Sequence, residues 1–187
     1  MRYKHVFAVC AYKDSPYLEQ CIRSLKAQTV PSHIIICTST PSSYIDRLAW
    51  KYGLQVCVRQ GESGIKDDWN FAYSMAEGEL VTIAHQDDMY HRDYSARLLA
   101  AHRRYPDMTV FTTDYVIVKQ GTLITGDAML WIKRILRTPL RFPQMNDRAW
   151  VKKLAFVLGN PICCPATTYH KAVLGEPVVR SEYSFAA

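Results

Sequence analysis

Short apolar runs alternate with amphipathic segments through the first half of the chain. Four runs are continuous and rich in strand-favouring residues, the pattern of strands covered on both faces. They lie at 6–11, 33–38, 54–58 and 80–84. The first intervening segment places Leu18, Cys21, Ile22 and Leu25 at the i, i+3, i+4, i+7 spacing of a helix. This alternation predicts an α/β fold with a doubly wound, mostly parallel sheet flanked by helices.

Capping residues predict where these helices start and end. Ser15 as N-cap and Pro16 at the first helical position indicate the start of the first helix. Gly53 is predicted to close the second helix as a left-handed cap. Gly78 indicates the end of the third helix, just before the fourth apolar run.

The second half of the chain mixes helix and strand patterns. Asp93–Tyr105 is predicted to form a helix halted by Pro106. Residues 109–118 read as one strand, and Gly121 suggests a hairpin back into 122–125. We therefore expect a mixed sheet, with some strands antiparallel to the rest.

Composition narrows the class of protein. At 187 residues, the chain predicts a single domain spanning 1–187. The formal charge of +6 favours anionic small molecules or lipid surfaces, and we expect no nucleic-acid partner. The six cysteines form no C-x-x-C pair and fall mostly in apolar runs, so we expect them buried and reduced in a cytoplasmic protein. No stretch has the roughly 18 apolar residues of a membrane span.

A basic, aromatic-rich segment occupies residues 130–158. Its seven basic residues are Lys133, Arg134, Arg137, Arg141, Arg148, Lys152 and Lys153. Pro139 and Pro143 limit it to short helices. Three interpretations stay open: a solvated face, a peripheral contact with the inner face of an anionic membrane, or a flap over an acceptor cleft.

The heptad AHQDDMY at 84–90 places two adjacent carboxylates directly after the fourth apolar run. In an open α/β sheet, ligands bind beyond the carboxyl ends of the strands, where Asp87 and Asp88 are expected to lie. Hard divalent cations prefer such oxygen ligands and complete their shell with phosphates and water. The alternative is that the two aspartates cap the next helix.

Three segments give the chain a resemblance to the family 2 glycosyltransferases of the GT-A fold. They are VCAYKDSPYLEQCIRSLKAQT, GIKDDWNFAYSMAEGELVTIAHQDD and GNPICCPATTYHK. The matched positions are Val9, Tyr12, Tyr17, Leu18, Gln28, Thr29, Gly64, Asn70, Ala76, Gly78, Glu79, Leu80, His85, Gln86, Asp87 and Asp88. The order and spacing of these motifs carry the resemblance, which runs over nearly the whole chain.

The resemblance implies transfer of a sugar, with inversion, from a nucleotide-diphosphate sugar to a saccharide or lipid-linked acceptor. It implies that the reaction serves cell-surface polysaccharide or glycan assembly, with a UDP-sugar as the expected donor. It also implies a nucleotide-sugar-binding half at 1–90 and a partial acceptor half at 91–187. A divalent ion, Mn²⁺ or Mg²⁺, would neutralise the diphosphate leaving group.

The resemblance also implies a set of site residues. Asp87 and Asp88 are the expected metal ligands. The expected donor-binding residues are Ala11, Tyr12, Asp14, Thr38, Lys66, Asp68, Asn70, Gln86 and Asp87. Some have plainer interpretations: Asp14 as a cap of the first helix, and Lys66 and Asp68 as solvated charges at a helix start. Asn70 is expected to support the metal loop.

Three departures from the family pattern qualify these expectations. His85 stands where the first aspartate of the metal triplet is usual, so it is either a ligand or a histidine hydrogen-bonded beneath the loop. Cys37, Thr38 and Ser39 replace an acidic pair that often contacts uracil, which leaves the donor base open. The family's catalytic base is expected beyond Ala187. Within the chain, Asp114 and Glu182 are fallback candidates for it.

Two rival functions remain. A nucleotidyltransferase shares the doubly wound sheet and paired aspartates, but would have a Gly-rich, basic phosphate loop where this chain has AYKDSP. A nucleotide-sugar-binding module without turnover is the other alternative.

Overall fold

The computed structural model describes residues 2–119, 121–124, 126–157 and 159–180. The chain divides into two compact units. The first contains the described residues of 1–111 and 167–187, and the second contains those of 112–166. The predicted division of a single domain into halves at residue 90 stays a prediction.

The first unit is built on a six-stranded sheet of order β3-β2-β1-β4-β8-β5. Its strands are β1 (Tyr3–Ala11), β2 (His33–Thr38), β3 (Gln55–Val58), β4 (Gly78–His85), β5 (Val110–Thr112) and β8 (Thr167–His170). Its helices are α1 (Leu18–Lys26), α2 (Ser43–Tyr52), α3 (Ile65–Met75), α4 (Tyr94–Arg104) and α7 (Lys171–Leu174). β1 to β4 pair in parallel and β8 runs antiparallel to β4, which confirms the predicted mixed, mostly parallel sheet.

Both faces of the sheet are covered, as the continuous apolar runs predicted. Alternate residues of a strand point to opposite faces. Phe7 and Val9 pack in one buried cluster with side chains of α1, α2 and α4. Val6 and Ala8 belong to a second cluster on the other face, with Ala72 of α3. All four of these β1 residues are fully buried, so the position of β1 is fixed from both sides.

The helix boundaries confirm the predicted cap at Gly53 and correct the predicted start of the first helix. Gly53 closes α2 in the left-handed region at φ 61°, as predicted. The predicted start of the first helix at Ser15 is wrong, because α1 begins at Leu18 without a side-chain cap. Lys13 adopts φ 53° and its carbonyl accepts from Ser15 N, so a tight turn precedes the helix. Gly78 opens β4, where an added Cβ would lie 2.7 Å from Val6 Cγ2.

A chain of buried hydrogen bonds links the elements of the first unit. His5 bonds the hydroxyls of Ser32 and Thr82, each at 2.8 Å. Thr82 and Tyr94 in turn bond the hydroxyl of Thr168 at 2.6 and 2.8 Å. Burial lowers the pKa of His5 to about 3, so the imidazole is neutral within this network. The network ties β1, β4, α4 and β8 together at the centre of the unit.

The second unit consists of a hairpin and short helices. Its elements are β6 (Ile117–Lys119), β7 (Thr122–Ile124), α5 (Ala128–Arg137), a 3-10 turn (Thr138–Arg141) and α6 (Ala149–Val157). The predicted hairpin and short helices are confirmed, but the single strand over 109–118 is wrong. Asp114 interrupts it, because its carboxylate binds Arg134 Nε at 2.8 Å and Arg137 Nη2 at 2.5 Å.

Two further expectations can be compared with the fold. Three of the six cysteines, Cys21, Cys37 and Cys57, are buried as predicted, whereas Cys10, Cys163 and Cys164 are only half-buried. Among the described residues, no helix combines the length and apolar character needed to cross a bilayer.

Candidate functional site

The predicted site residues gather where the parallel strands end. Cys10 of β1 lies beside His85 of β4, and Ala11 lies beside Thr38 of β2. The residues that follow these positions therefore share one edge of the sheet. We call this edge the carboxyl edge and the opposite one the amino edge.

A side chain extends the pairing of β1 and β4 beyond the last strand residues. Gln86 Oε1 accepts a hydrogen bond from the backbone N–H of Tyr12 at 2.9 Å. Gln86 Nε2 donates to the carbonyl of the same Tyr12 at 3.0 Å. This two-point contact fixes the start of the AHQDDMY loop against the end of β1. Tyr12 itself is about half exposed, under the Nζ of Lys13 at 5.0 Å from its ring centroid.

Asp87 and Asp88, here called the carboxylate pair, lie next along the loop. Ligand atoms of the pair and of His85 all lie within 4.8 Å of one another. Partial burial and the neighbouring charge of Asp87 raise the pKa of Asp88 to about 6. Two adjacent carboxylates that repel each other in this way favour a bound cation, and their hard oxygen atoms suit Mn²⁺ or Mg²⁺. The local residues thus fit the divalent ion that the sequence implied.

His85 is a partly buried imidazole next to the pair. Its ring contacts Trp69 of α3 in a tilted arrangement, with centroids 4.8 Å apart and an interplanar angle of 32°, and Nδ1 lies 3.7 Å from Asp88 Oδ2. Nε2 is buried without a hydrogen-bond partner among the described residues. Burial lowers the pKa of this imidazole, against the opposing effect of Asp87. Trp69 is partly buried against the core cluster that contains Val6 and Ala8, and it also contacts His85.

Two hydroxyl-rich contacts join the ends of β1 and β2. Asp14 Oδ1 accepts from the hydroxyl of Ser42 at 2.5 Å, and Ser42 is the N-cap of α2. Thr40 Oγ1 accepts from the backbone N–H of Lys13 at 2.7 Å. Asp14 therefore acts on the start of α2, rather than capping the first helix as its plainer interpretation suggested. The run of hydroxyl residues after β2, STPSS, was the sequence signal for these contacts.

Thr38 is almost completely buried, and its hydroxyl serves the local turn. Thr38 Oγ1 accepts from the backbone N–H of Thr40 at 3.0 Å. The carbonyl of Thr38 accepts from Arg59 N at 2.8 Å. Thr38 thus shapes the end of β2, and its predicted donor contact stays a prediction.

Asp68 is held by several donors at the start of α3. Its Oδ1 accepts from Arg59 Nε at 2.8 Å, and its Oδ2 accepts from Ser39 Oγ and Gly64 N at 3.1 Å each. Arg59 also donates to the carbonyls of Gln60 and Glu62. The plainer interpretation, a solvated charge, does not fit this contact set. Sequence reasoning missed Arg59, although a lone arginine directly after β3 was the available signal.

Lys66 and Asn70 lie on α3 with different surroundings. Lys66 is half-exposed and its Nζ lies 3.6 Å from Asp67 Oδ1, as in a solvated ion pair at a helix start. Asn70 Nδ2 donates to the carbonyl of Val179 at 2.8 Å, and Asn70 Oδ1 accepts from Val179 N at 2.8 Å. These bonds anchor the segment after α7, and support of the metal loop by Asn70 stays a prediction.

The Gln28–Thr29 motif holds the far end of the same loop. Gln28 Nε2 donates to the carbonyl of His91 at 3.0 Å, and Gln28 Oε1 accepts from Ser95 N at 2.9 Å. Thr29 N donates to the carbonyl of Arg92 at 2.8 Å. The loop after β4 is thus fixed at its start by Gln86 and at its end by Gln28 and Thr29.

The two fallback candidates for the catalytic base are Asp114 and Glu182. Burial opposes ionisation of Asp114, but the N–H of Tyr115 and the guanidinium of Arg137 prevail and lower its pKa. A carboxylate held ionised by two arginines is a poor proton acceptor, which argues against Asp114. Glu182 lies outside the described residues.

Comparison with protein families decides the class. The family model of glycosyl transferase family 2 matches residues 6–159, most of the chain. The chain belongs to glycosyl transferase family 2. This confirms the resemblance drawn from the three sequence segments. None of the curated proteins compared with the chain matches it significantly.

Solved structures with the GT-A fold of this family align with nearly the whole chain. TarS from S. aureus in complex with UDP is 19% identical, with a TM-score of 0.62, over 91% of this chain and 48% of that one. Glucosyl-3-phosphoglycerate synthase from Mycobacterium tuberculosis, in complex with Mn²⁺ and UDP-glucose, is 14% identical, with a TM-score of 0.61, over 92% and 58%.

A third similar structure comes from an archaeal enzyme. The mannosyltransferase PcManGT from Pyrobaculum calidifontis, in complex with GDP-Man and Mn²⁺, is 14% identical, with a TM-score of 0.57, over 93% of this chain and 46% of that one. The family 2 chain therefore spans about half the length of these structures. At these identities the likeness shows a shared fold.

Proposed function

We propose that this chain forms the donor-binding part of a metal-assisted, inverting glycosyltransferase. The observation that carries the proposal is the carboxylate pair at the carboxyl edge of β4, where the pKa of Asp88 is raised to about 6. The donor is a nucleotide-diphosphate sugar and the acceptor is a saccharide or lipid-linked glycan of the cell surface. We place the reaction in the cytoplasm, in keeping with the buried Cys21, Cys37 and Cys57 and the absence of a C-x-x-C pair in the sequence.

Asp87 and Asp88 would hold Mn²⁺ or Mg²⁺ through carboxylate oxygens. The bound ion supplies positive charge that neutralises the diphosphate leaving group. Gln86 keeps the loop docked on Tyr12 before the donor arrives, so little conformational entropy is lost on binding. His85, neutral and in contact with the Trp69 ring, supports the pair.

The remaining donor-binding residues lie at the ends of β1 and β2 and at the start of α3. Ala11 ends β1 and Tyr12 follows it, and the exposed ring of Tyr12 offers a face for the nucleoside. Asp14 and Thr38 shape the turn that receives the base and ribose. Lys66, half-exposed at the start of α3, adds a cation for a phosphate. Asp68 and Asn70 act by holding these loops in place.

A UDP-sugar is our preferred donor. The TarS and glucosyl-3-phosphoglycerate synthase structures contain uridine nucleotides, whereas the Pyrobaculum structure contains GDP-Man. In this chain a hydroxyl pair, Thr38 and Ser39, ends β2, and Asp68 lies 3.1 Å from Ser39 Oγ. A carboxylate from α3 thus reaches the position where the family commonly places an acidic residue after the second strand.

The basic segment 130–158 supports a peripheral membrane contact. Trp131 and Ile135 of α5 expose more than half of their surface, as do Trp150 and Leu154 of α6. Asp114 neutralises two of the seven basic residues, Arg134 and Arg137. The other five can meet anionic headgroups while the exposed side chains enter the interface.

Vesicle sedimentation tests this contact. We expect the protein to sediment with phosphatidylglycerol vesicles, not with phosphatidylcholine vesicles, and the Trp131→Ala/Ile135→Ala variant to stay in the supernatant. Exposed Trp50 of α2 offers a matched control, since Trp50→Ala removes an indole outside the segment. Equal sedimentation of all three proteins would remove the membrane contact from the proposal.

Calorimetric titration tests the donor site. We expect UDP to bind in the presence of Mn²⁺ and to bind far more weakly with EDTA, with GDP and CMP as comparison ligands. Asp87→Asn and Asp88→Asn should each abolish the Mn²⁺ dependence, whereas the exposed control Asp107→Asn should not. Absence of any metal-dependent nucleotide binding contradicts the proposal.

Product analysis separates the rival functions. A glycosyltransferase or its hydrolytic side reaction releases UDP from UDP-glucose or UDP-GlcNAc. A nucleotidyltransferase instead releases pyrophosphate from a nucleoside triphosphate and a sugar phosphate. Metal-dependent donor binding with neither product supports the binding-module alternative for this chain.

A further inference from the structure

A second group of metal-ligating side chains lies at the amino edge of the same sheet. Glu79 begins β4, His102 lies near the end of α4, and His170 ends β8. Ligand atoms of these three residues all lie within 4.8 Å of one another. We call them the amino-edge cluster, and none of them contributes to the donor site at the carboxyl edge.

Hydrogen bonds orient the cluster inward. His170 Nδ1 lies 2.9 Å from the carbonyl of Met108, which accepts only, so Nδ1 carries the proton and Nε2 presents its lone pair. Such an outer hydrogen bond is the usual partner of a metal-ligating imidazole. His170 Nε2 lies 3.6 Å from Glu79 Oε1. Lys4 Nζ occupies the other oxygen, Oε2, at 2.7 Å and leaves Oε1 facing the two rings.

His102 provides the independent observation. Its ring is 6% exposed, and Nε2 is buried without a hydrogen-bond partner among the described residues. This nitrogen nevertheless lies 3.2 Å from Glu79 Oε1. A buried nitrogen that faces a carboxylate at this distance, without a hydrogen bond to it, has the placement of a metal ligand.

The separations also match a tetrahedral ion. Zinc binds imidazole nitrogen and carboxylate oxygen at about 2.0–2.1 Å, which places neighbouring ligand atoms about 3.3–3.4 Å apart. The two Glu79 separations, 3.2 and 3.6 Å, bracket that value. The partly exposed carboxylate leaves room for water at a fourth position. Two imidazoles and one carboxylate are a donor set that zinc accepts readily.

We propose that Glu79, His102 and His170 bind a Zn²⁺ ion that cross-links β4, α4 and β8. The site is structural, because it lies at the opposite edge of the sheet from the carboxylate pair. It stabilises the folded chain by binding the folded state alone. The inference does not depend on the proposed sugar transfer, and either can fail without the other.

Cobalt and zinc titrations of the Asp87→Asn/Asp88→Asn protein test the site with the donor pair removed. We expect one Co²⁺ per chain with visible bands of tetrahedral coordination, displaced by Zn²⁺, and no thiolate-to-cobalt band. Zn²⁺ should raise the melting temperature of the same protein. Absence of tetrahedral Co²⁺ bands, or a thiolate band from the cysteines instead, overturns the proposal whatever the variants do.

Substitutions within the cluster assign the ligands. His102→Gln and Glu79→Gln should each weaken Co²⁺ binding about 100-fold or more. His91→Gln, at an exposed histidine outside the cluster, should bind as tightly as the parent protein. Lys4→Gln should tighten binding several-fold, because it removes a cation near the site. Melting curves without metal confirm that each variant folds, and unchanged Co²⁺ affinity in folded His102→Gln and Glu79→Gln proteins contradicts the assignment.

Discussion

The two edges of the central sheet each gather three side chains that can hold a cation, with opposite chemistry. At the carboxyl edge the ligands are mainly oxygens on a half-exposed loop, where partial burial and the charge of Asp87 raise the pKa of Asp88. At the amino edge they are mainly imidazole nitrogens on strands and a helix, buried and oriented by outer hydrogen bonds. The same strand, β4, begins at one cluster and ends at the other.

This difference predicts that an ion at the carboxyl edge exchanges readily, whereas an ion at the amino edge stays bound. A hard ion on an exposed loop can share its shell with a diphosphate and leave with it. The ion that we propose at the amino edge instead cross-links three elements of the fold, at the opposite edge from the donor site. Proximity of metal-capable residues is therefore a poor guide to catalysis unless burial and ligand type are also considered.

The strongest expected contrast is between Asp88 and Glu79. Asp88→Ala should weaken Mn²⁺-dependent UDP binding by about 100-fold or more, since a direct ligand to the ion is lost. Glu79→Gln should leave that affinity within about twofold, because it acts at the other edge. Calorimetry of both variants with Mn²⁺ measures the contrast, and similar losses in the two would erase the functional distinction between the edges.

Because His5 is a buried, neutral imidazole, acid should lower the free energy of unfolding. Its folded pKa is about 3, below its usual value of 6.5, so its contribution is complete above pH 6.5 and is lost as the pH falls toward 3. Urea unfolding should show a loss of about 2 kcal/mol between pH 6.5 and 5 from this group. His5→Gln should show a shallower pH dependence, and equal slopes in the two proteins would count against the neutral imidazole.

Asn70 distinguishes stability from metal binding at the carboxyl edge. Asn70→Ala removes two hydrogen bonds to Val179 and should lower the free energy of unfolding by about 1–2 kcal/mol. Mn²⁺ affinity should stay unchanged if the residue anchors only the segment after α7. A parallel fall in Mn²⁺ affinity would instead restore the expected support of the metal loop.

Gln86→Ala should have the smallest effect on the free energy of unfolding. Unlike Asn70→Ala, it should weaken metal-dependent UDP binding more than it weakens the fold. Gln86→Ala should cost about 1 kcal/mol or less in unfolding free energy, because the bonds to Tyr12 are exposed. Loosening the loop should nevertheless weaken Mn²⁺-dependent UDP binding about tenfold. Calorimetry and urea unfolding of the same sample give both numbers, and a stability loss without an affinity loss would refute preorganisation.

The fold was predictable from local patterns, because buried strands and amphipathic helices leave strong periodic signals. Boundaries set by backbone contacts were not, as the start of α1 shows: the Ser15 hydroxyl accepts from Tyr17 N in the turn that follows Lys13, and the helix begins only at Leu18. The break at Asp114 similarly depends on Arg134 and Arg137, which lie about twenty residues away in sequence.

The carboxylate pair was predictable because its two members are adjacent in sequence. The contacts of Asp68 with Arg59 were not, since they depend on how the segment after β3 folds back onto the start of α3. The amino-edge cluster was the least predictable from the sequence. Its three members are separated by more than twenty residues at each step, so only the packing of β4, α4 and β8 brings them together.

The contact between Gln86 and Tyr12 restricts what evolution or design can place at position 86. The partner is a backbone N–H and a backbone carbonyl of one residue, so the side chain must accept and donate at once. Glutamate lacks the donor, lysine lacks the acceptor, and asparagine is one methylene shorter. To introduce the family's usual aspartate triplet into this loop, His85 is therefore the position to substitute. The amide at position 86 should be kept.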